Sequence, residues 1–335
     1  MMENGAVSES NMTGTLVKTV FKNVMDFDLE DIFECGQCFR WRRQPDGSYS
    51  GIVEGSFANV SYIAGEDSDG TGDVKIWSNL FASDRERRDR YWRNYFDLDR
   101  NYTRIKRILT TEDSVMRKAV RTGGGIRILN QNKWETLISF IISQNNNIPR
   151  IQGCIEILCR EHGRNIGLLH GEPLYSFPSV DRLSVLNEDD LDVCRLGYRA
   201  RYISQAARIV AMDGGMVLED GESMPKAALE EYLLSLPGVG PKVANCVMLF
   251  SMKKAEVFPI DVWMRRVMAG LYGMSERNLS GMQDYAKRNF GEYGGIAQQY
   301  LFNYVRKLKR DDPTTYARLG LDSPSMEDRD EKRMI

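Results

Sequence analysis

The sequence predicts an α+β fold that is mainly α: a small N-terminal domain built on an antiparallel β-sheet, followed by an all-helical domain. The length of 335 residues corresponds to about two domains. Short segments of alternating apolar and polar residues, joined by turn signals, occupy the chain up to residue 77, as expected for hairpin-linked strands. After residue 84 the apolar residues recur almost throughout with the spacing of α-helices.

The β-like pattern begins at Leu16 and gives a series of short strands. The turn signal PDGS at 45–48 separates two of them, and a polar, glycine-rich loop at 65–73 separates the last two. Strands connected by hairpins in this way indicate an antiparallel sheet. The predicted strands after the first are at 39–43, 49–53, 57–63 and 74–77.

Helices dominate from residue 84 onward. A charged helix at 84–99 carries its aromatic residues on one side, and the segment 134–142 has the apolar spacing of a central core helix. The polar start and the charged end of the chain lack the apolar residues needed for a core, so we expect them to be disordered. The predicted organisation is a disordered N-terminus at 1–14, a sheet domain at 15–115, a helical domain at 116–322 and a disordered tail at 323–335.

The composition excludes several classes of protein. No apolar segment approaches the ~18 residues of a membrane span, and the first residues lack the features of a signal peptide, so we expect a cytoplasmic protein without a membrane partner. Six cysteines are too few for a disulfide scaffold. Cys35 and Cys38 form a single CxxC motif, and the lack of cysteine after Cys246 excludes a C-terminal iron–sulfur loop. We expect no metal or organic cofactor.

The charge is unevenly distributed along the chain. The net charge of −2 argues weakly against a nucleic acid partner, but residues 311–335 alone contain seven acidic and four basic side chains. Residues 195–209 contain four arginines and no acid, and residues 301–310 contain four bases and no acid. Local basic patches matter more to a polyanion than the net charge does. These two segments are candidate DNA-binding surfaces; the alternative is that they form solvated helix faces.

The segment LPGVGPKVA at 236–244 is the most informative part of the sequence. Gly238 and Gly240 lie in a tight turn between helical segments at 227–235 and 242–252, and glycines there permit backbone conformations closed to other residues. Their N–H groups and the N-terminus of the second helix form an anion seat suited to one DNA phosphate. The alternative is a helix–turn–helix corner in which the glycines serve packing alone.

Lys242 lies in the first turn of that second helix, where a cation opposes the positive end of the helix dipole. This placement favours the neutral amine, which is a nucleophile able to form a Schiff base with a sugar C1′. Cys246 follows four residues later and shares the same helix face. Asp261 opens a further helical segment two residues after Pro259, which predicts an N-cap. It is either a pure cap or, in addition, a carboxylate that faces Lys242.

A glycine hairpin, a lysine at the next helix start and an aspartate about twenty residues later resemble the helix-hairpin-helix DNA glycosylase superfamily. Further segments over residues 15–310 narrow the resemblance to the 8-oxoguanine DNA glycosylase family. They are GQCFRW at 36–41, GIRILNQNKWE at 125–135, SQNNNIPR at 143–150, LGYRARY at 196–202 and GGIAQQYLF at 294–302. The resemblance implies a TATA-binding-protein-like sheet domain and a glycosylase domain with its helix-hairpin-helix at 227–252.

The resemblance also implies a bifunctional enzyme of base excision repair. Such a monomer binds double-stranded DNA, excises 8-oxoguanine and ring-opened purines opposite cytosine, and nicks the strand by β-elimination. By the same resemblance Lys242 is the Schiff-base nucleophile and Asp261 stabilises the cationic sugar, without any cofactor. The residue types suit this chemistry, because an oxocarbenium-like sugar favours a nearby anion and reaction at C1′ requires the damaged nucleotide to leave the stack.

The remaining site residues follow from the resemblance as well. Gly36 matches the residue whose carbonyl accepts N7–H of 8-oxoguanine. Cys246 and Phe302 match the residues that sandwich the base, and Gln298 matches the one that bonds its Watson–Crick edge. Without the resemblance these side chains would be assigned to core packing or to the surface. The residues matched to filling the vacated stack and contacting the unpaired cytosine are Asn145, Arg150, Tyr198 and Arg199.

Three positions depart from the family's usual pattern and favour a bacterial branch. Trp263 stands where a histidine follows the aspartate, Asn245 where an aspartate often precedes the cysteine, and Cys38 where serine is usual. It is therefore open which residue of this chain makes the contact that the histidine makes in the family. Two alternatives remain: a related glycosylase for alkylated or mismatched bases, whose monofunctional members usually lack the lysine, and a hairpin module that binds DNA without catalysis, against which Lys242 and Asp261 together argue.

Overall fold

The computed structural model describes residues 14–65 and 70–322 of the chain. The segments predicted to be disordered, at 1–14 and 323–335, lie outside the described residues apart from Gly14. The described chain is mainly helical and carries an N-terminal five-stranded antiparallel sheet, which confirms the predicted α+β fold. None of the helices in the described ranges is long and apolar enough to cross a membrane.

The sheet has the strand order β1-β5-β4-β3-β2, and every neighbouring pair is antiparallel. Side chains alternate across it, so that Val74 and Ile76 are fully buried while Trp77 is 41% exposed. On the buried side, Phe33 stacks on Trp41 with ring centroids 4.4 Å apart. The strands are β1 (Val17–Met25), β2 (Trp41–Arg43), β3 (Tyr49–Val53), β4 (Ser56–Ala64) and β5 (Thr71–Ser78).

Local sequence accounts for many of the helix boundaries. Asp84, for example, caps the second helix by accepting a hydrogen bond of 3.0 Å from Arg87 N. The described α-helices are α1 (Leu29–Phe33), α2 (Arg85–Tyr95), α3 (Tyr102–Thr110), α4 (Ser114–Thr122), α5 (Lys133–Ile142), α6 (Ile148–His162), α7 (Val180–Ser184), α8 (Arg199–Met212), α9 (Met216–Asp220), α10 (Lys226–Ser235), α11 (Pro241–Ser251), α12 (Val262–Tyr272), α13 (Leu279–Asn289), α14 (Gly294–Asp311) and α15 (Pro313–Arg318).

The second domain is not purely helical, which corrects one detail of the prediction. Strands β6 (Asn165–Leu169) and β7 (Glu172–Tyr175) form an antiparallel hairpin between α6 and α7. The turn places His170 and Gly171 at φ +51° and +87°, a geometry that Asn-Gly or Asp-Gly usually signals. Because this turn begins with histidine, its sequence carries little hairpin signal.

Two apolar cores lie side by side. The smaller is formed by the sheet, α1 and α2, and includes Trp92 and Phe96. The larger surrounds α5 and also takes side chains from α3 and α4, such as Ile105 and Met116. The predicted domain boundary at 115/116 lies inside α4 and stays a prediction, since Leu129, after α4, still packs in the smaller core.

A buried ion pair joins the sheet side of the molecule to α14. The side chain of Asp31 on α1 is 6% exposed and accepts hydrogen bonds from Lys307 Nζ at 2.6 Å, Asn303 Nδ2 at 3.0 Å and Gly125 N at 3.2 Å. Because a buried carboxylate without partners is costly, these contacts fix the rotation of α14 about its axis. The neighbouring face of α14, which carries Phe302, is thereby turned toward the cavity described below.

The first turn of α5 holds a partly buried carboxyl group that predicts a pH dependence of stability. Burial raises the pKa of Glu135 from 4.5 to about 7, and the nearby Arg40 only partly opposes this. Since the carboxyl is harder to ionise in the folded chain, the free energy of unfolding should fall as pH rises through this interval. Between pH 4.5 and 8, wild type should lose about 1–3 kcal/mol relative to Glu135→Gln, measured by urea unfolding. The exposed Glu231→Gln is the control; an equal slope for all three proteins would contradict the expectation.

Candidate active site

Six predicted residues meet in one cavity of about 400 Å³. It lies where the loop after α1, the end of α5, the starts of α6, α11 and α12, and the middle of α14 converge. A larger open cleft of about 780 Å³ near Glu54 contains none of the predicted residues. The six are the predicted catalytic and substrate-binding set: Lys242, Asp261, Gly36, Cys246, Gln298 and Phe302.

The glycine turn between α10 and α11 has two glycines with different roles. Gly238 has φ +77°, and a Cβ there would lie 2.7 Å from Tyr202, so both backbone and packing require glycine. Gly240 has φ −94° and is the N-cap of α11, a conformation open to other residues, which corrects the prediction of special backbone geometry at this position. Apart from its chain neighbours, none of the described residues has an atom within 4 Å of a Cβ built on Gly240. Its missing side chain leaves the N-terminus of α11 accessible to a ligand.

Lys242 is the second residue of α11, as predicted, and the end of α5 positions its amine. Nζ donates a hydrogen bond of 3.2 Å to Ser143 Oγ and lies 5.1 Å from the centre of the Phe140 ring. The Ser143 hydroxyl donates to Phe140 O at 2.7 Å, so it offers Nζ a lone pair. Among the described residues no carboxylate lies within ion-pair distance of Nζ, and the amine faces the cavity.

Cys246 lies one turn further along α11 and forms part of the cavity wall. Burial raises the pKa of its thiol to about 11, with Asp261 adding to the shift and Lys242 opposing it. The side chain is therefore a neutral, polarizable surface at neutral pH rather than a thiolate.

Asp261 caps α12, as the sequence predicts. Its Oδ1 accepts a hydrogen bond of 2.7 Å from Met264 N, and the same side chain lines the cavity together with Lys242. The two readings left open by the sequence are thus compatible, because one carboxylate both caps the helix and faces the space beside the amine.

The opposite wall of the cavity is formed by Gly36 and α14. Gly36 has φ +81°, and a Cβ there would lie 3.3 Å from Phe302 Cε1, so a larger residue would narrow the cavity. Phe302 itself packs on Trp263 with ring centroids 5.4 Å apart. Gln298 is 6% exposed, and its Oε1 accepts a hydrogen bond of 2.8 Å from Gln299 Nε2. The amide nitrogen of Gln298 is the group left for a ligand.

The loop behind Gly36 is held by the buried amide of Gln37. Its Nε2 donates to Ile32 O at 2.8 Å and to Arg127 O at 2.9 Å, while its Oε1 accepts from Leu129 N at 2.8 Å. All three hydrogen bonds of the Gln37 amide are therefore made to backbone groups and not to the cavity. They fix the loop that carries the Gly36 carbonyl.

The loop that carries Asn145, one of the residues predicted to contact the partner strand, lies beside the glycine turn. Asn145 is exposed with φ +43°, Arg150 is exposed, and Tyr198 is 49% exposed. Gln144 Nε2 donates to Gly238 O at 2.9 Å, which ties this loop to the hairpin. The DNA contacts of these residues stay predictions.

Arg199 departs from its predicted role as an outward donor. It is 4% exposed, and its guanidinium donates to Gln144 O, to Asn145 O at 3.0 Å and to Leu196 O at 3.2 Å. In this DNA-free structure Arg199 supports the loop that presents Asn145. The reason is geometric: the loop carbonyls come within reach of the first turn of α8 only in the folded chain.

The two basic segments are also less available than their sequences predict. Arg208 donates to Leu186 O at 3.1 Å, Lys307 is paired with Asp31, and Arg310 lies 3.0 Å from Glu30. With Arg199, four of the eight cations of these two segments therefore have partners within the protein.

Several cavity residues were not predicted from the sequence. Arg306 follows Phe302 by four residues and Gln298 by eight, so helical spacing alone places it on the same face. The other additional lining residues have no comparable local signal, because tertiary packing brings them in. They include Phe140, Ser143, Gln299 and Lys309.

A glycine turn that opens a helix N-terminus, with a lysine amine and a capping carboxylate at one cavity, defines a helix-hairpin-helix DNA glycosylase. Two family models match the chain: the 8-oxoguanine DNA glycosylase N-terminal domain over residues 19–137, and the HhH-GPD superfamily base excision DNA repair protein over residues 138–288. The chain belongs to the 8-oxoguanine DNA glycosylase family, and it is a DNA N-glycosylase with AP lyase activity.

Similar proteins span nearly the whole chain. A protein of Methanothermobacter thermautotrophicus named "Probable N-glycosylase/DNA lyase" is 31% identical over 85% of this chain and 95% of its own. The N-glycosylase/DNA lyase OGG1 of Arabidopsis thaliana is 29% identical over 81% of this chain and 75% of its own. The Clostridium acetobutylicum 8-oxoguanine glycosylase/lyase, solved with double-stranded DNA containing cytosine opposite 8-oxoguanine, is 39% identical with a TM-score of 0.78, covering 88% of this chain and 98% of that one.

Proposed function

We propose that this enzyme excises 8-oxoguanine, and ring-opened purines, from duplex DNA opposite cytosine and then nicks the damaged strand through a Schiff base on Lys242. The proposal rests on one observation: Lys242, Asp261 and Gly36 line one cavity with the proposed base-binding side chains. The Clostridium acetobutylicum enzyme, solved with double-stranded DNA containing cytosine opposite 8-oxoguanine, supports this substrate and partner base.

The chemistry begins with the Lys242 amine as nucleophile. Nζ attacks C1′ of the flipped nucleotide, the bond from C1′ to N9 breaks, and the base leaves with the electron pair and takes up a proton. Positive charge on the sugar is stabilised by the Asp261 carboxylate. The secondary ammonium then loses one proton, and as the C1′–O4′ bond breaks to give the protonated imine, O4′ takes up a proton.

The imine makes the second step possible. It acidifies the C2′ proton, whose removal forms the C2′–C3′ double bond and expels the 3′ phosphate by β-elimination. Water hydrolyses the imine and restores the amine. Ser143 Oγ and the Phe140 ring hold Nζ beside the cavity, which supports one lysine serving in both steps.

We assign selection of the base to the cavity wall formed by Gly36 and α14, opposite Lys242. The Gly36 carbonyl accepts N7–H, which 8-oxoguanine carries and guanine lacks. With guanine that carbonyl faces the N7 lone pair and stays unpaired, a cost of about 1–3 kcal/mol. Phe302 and Cys246 face the two sides of the base, and the amide nitrogen of Gln298 serves its Watson–Crick edge.

Excision should be fastest opposite cytosine. Arginine offers only donors, and unpaired cytosine presents acceptors at N3 and O2, whereas adenine turns its N6 amino group toward the same cation. Such a contact discriminates by about 1–3 kcal/mol, which is roughly a ten- to hundredfold rate preference. Arg150→Ala should reduce the cytosine-to-adenine rate ratio more than it reduces the rate on the optimal pair. Single-turnover excision on both duplexes measures this.

Two further variants sharpen that experiment. Arg160→Ala removes an exposed arginine from the same helix, where it contacts Glu161, and should leave the ratio unchanged. Arg199→Ala should also reduce the ratio, because it releases the carbonyls of the loop that presents Asn145. Equal wild-type rates opposite cytosine and adenine would show that these residues do not read the partner strand.

A further inference from the structure

Arg306 occupies a special position between two cavities. Gln298, Phe302 and Arg306 follow one another by four residues on one face of α14 and all line the base cavity. Arg306 also lines a second cavity of about 250 Å³ on the far side of Gly36 and Ile148. Its guanidinium therefore stands at the edge of the base cavity, where the two spaces adjoin.

The charges around Arg306 favour an anion. The base cavity has three cations, Lys242, Arg306 and Lys309, against the carboxylate of Asp261. The second cavity adds Arg42 and Arg43 against Glu34, whose carboxylate accepts a hydrogen bond of 2.6 Å from Tyr49, and Arg42 also lies 3.9 Å from Glu156. The electrostatic potential at the junction is therefore positive.

Arg306 and Lys309, the two α14 cations that line the base cavity, differ from Lys307 and Arg310 in having no counter-ion among the described residues. Lys307 is paired with Asp31, and Arg310 with Glu30 and Asp311. Within residues 14–65 and 70–322, no carboxylate lies within ion-pair distance of the Arg306 guanidinium. Lys307 and Arg310 are thus neutralised within the protein, whereas the half-buried Arg306 at the cavity edge and the exposed Lys309 remain for a ligand.

We propose that Arg306 binds a backbone phosphate of the damaged strand, across the base cavity from the glycine turn. The span from Gln298 to Arg306 is eight residues of helix, about 12 Å, which matches a purine nucleotide from its Watson–Crick edge to its phosphate. A planar guanidinium suits bidentate binding of phosphate. This inference rests on the proposed function only in taking the cavity as the site of a flipped nucleotide.

The salt dependence of binding to a duplex with a tetrahydrofuran abasic analogue tests the proposal, because that duplex has no base to contact. Arg306→Gln should lower the slope of log affinity against log salt by about one and weaken binding at physiological salt roughly fivefold. Arg306→Lys should keep the wild-type slope. Arg310→Gln, with the same charge change on the same helix, should behave as wild type because its charge is already paired.

The outcomes separate the possible roles. An unchanged slope in Arg306→Gln would overturn the proposal. So would a loss of affinity seen with 8-oxoguanine duplex but not with the abasic duplex, since it would show a contact to the base, such as its O8. If the slope falls as expected while wild type neither excises 8-oxoguanine nor forms a borohydride adduct, the phosphate contact stands and the proposed function fails.

Discussion

Lys242→Gln should abolish covalent trapping of the enzyme on DNA. With borohydride, wild type should form an adduct with 8-oxoguanine duplex, and the variant should form none, because an amide nitrogen is not a nucleophile. Single-turnover excision should fall roughly a thousandfold or more. Binding to abasic-analogue duplex should persist, since the glycine turn and the N-terminus of α11 do not depend on this side chain.

A matched lysine makes the trapping experiment specific. Lys226→Gln removes the same charge from α10, where Lys226 lies 3.8 Å from Glu230 on the helix surface, and it should trap as wild type does. An adduct with Lys242→Gln would assign the nucleophile to another amine. A wild type that binds without trapping or excising would instead support the DNA-binding module that catalyses nothing.

Asp261→Asn should separate the two roles of one carboxylate. Asparagine caps a helix about as well as aspartate, so the hydrogen bond to Met264 N should survive and stability should change little. The negative charge beside the sugar is lost, and the single-turnover rate should fall roughly a hundred- to thousandfold. Asp261→Ala should show the same loss of rate and in addition a lower free energy of unfolding, by about 1 kcal/mol.

The cap at Asp84 provides the control for that pair. Asp84→Ala removes an equivalent capping bond, 3.0 Å from Arg87 N, far from the cavity, and should lower stability without changing the rate. A wild-type rate for Asp261→Asn would show that the carboxylate acts as a cap alone.

What could be predicted from the sequence is what depends on neighbouring residues. The cap at Asp261 and the position of Lys242 at a helix start follow from local rules, and both are confirmed. The five-stranded sheet follows from alternation and turns in the same way. The meeting of six residues in one cavity was expected through resemblance alone, because nothing local relates Gly36 to Phe302.

What could not be predicted depends on contacts between distant parts of the chain. The bond from Lys242 Nζ to Ser143 Oγ joins residues of two helices that pack only in the folded state. From the sequence, Arg199 is expected to be a free cation. In the fold its guanidinium donates hydrogen bonds to carbonyls of the loop that presents Asn145. Counting charges likewise overestimates the basic surface, since the partners of Lys307 and Arg310 lie on or beside α1, at the other end of the sequence.

The ion pair between Asp31 and α14 joins distant parts of the sequence, so it bears on the order in which the cavity assembles during synthesis on the ribosome. Gly36 emerges early, whereas Gln298 and Phe302 emerge only after the hairpin, Lys242 and Asp261 are complete. Domains fold from the N-terminus as the chain grows, so a nascent chain carries Lys242, the proposed nucleophile, before it has the wall proposed to select the base. Lys307 and Asn303 can contact Asp31 only after α14 has emerged, so the wall proposed to select the base is the last part of the cavity to form.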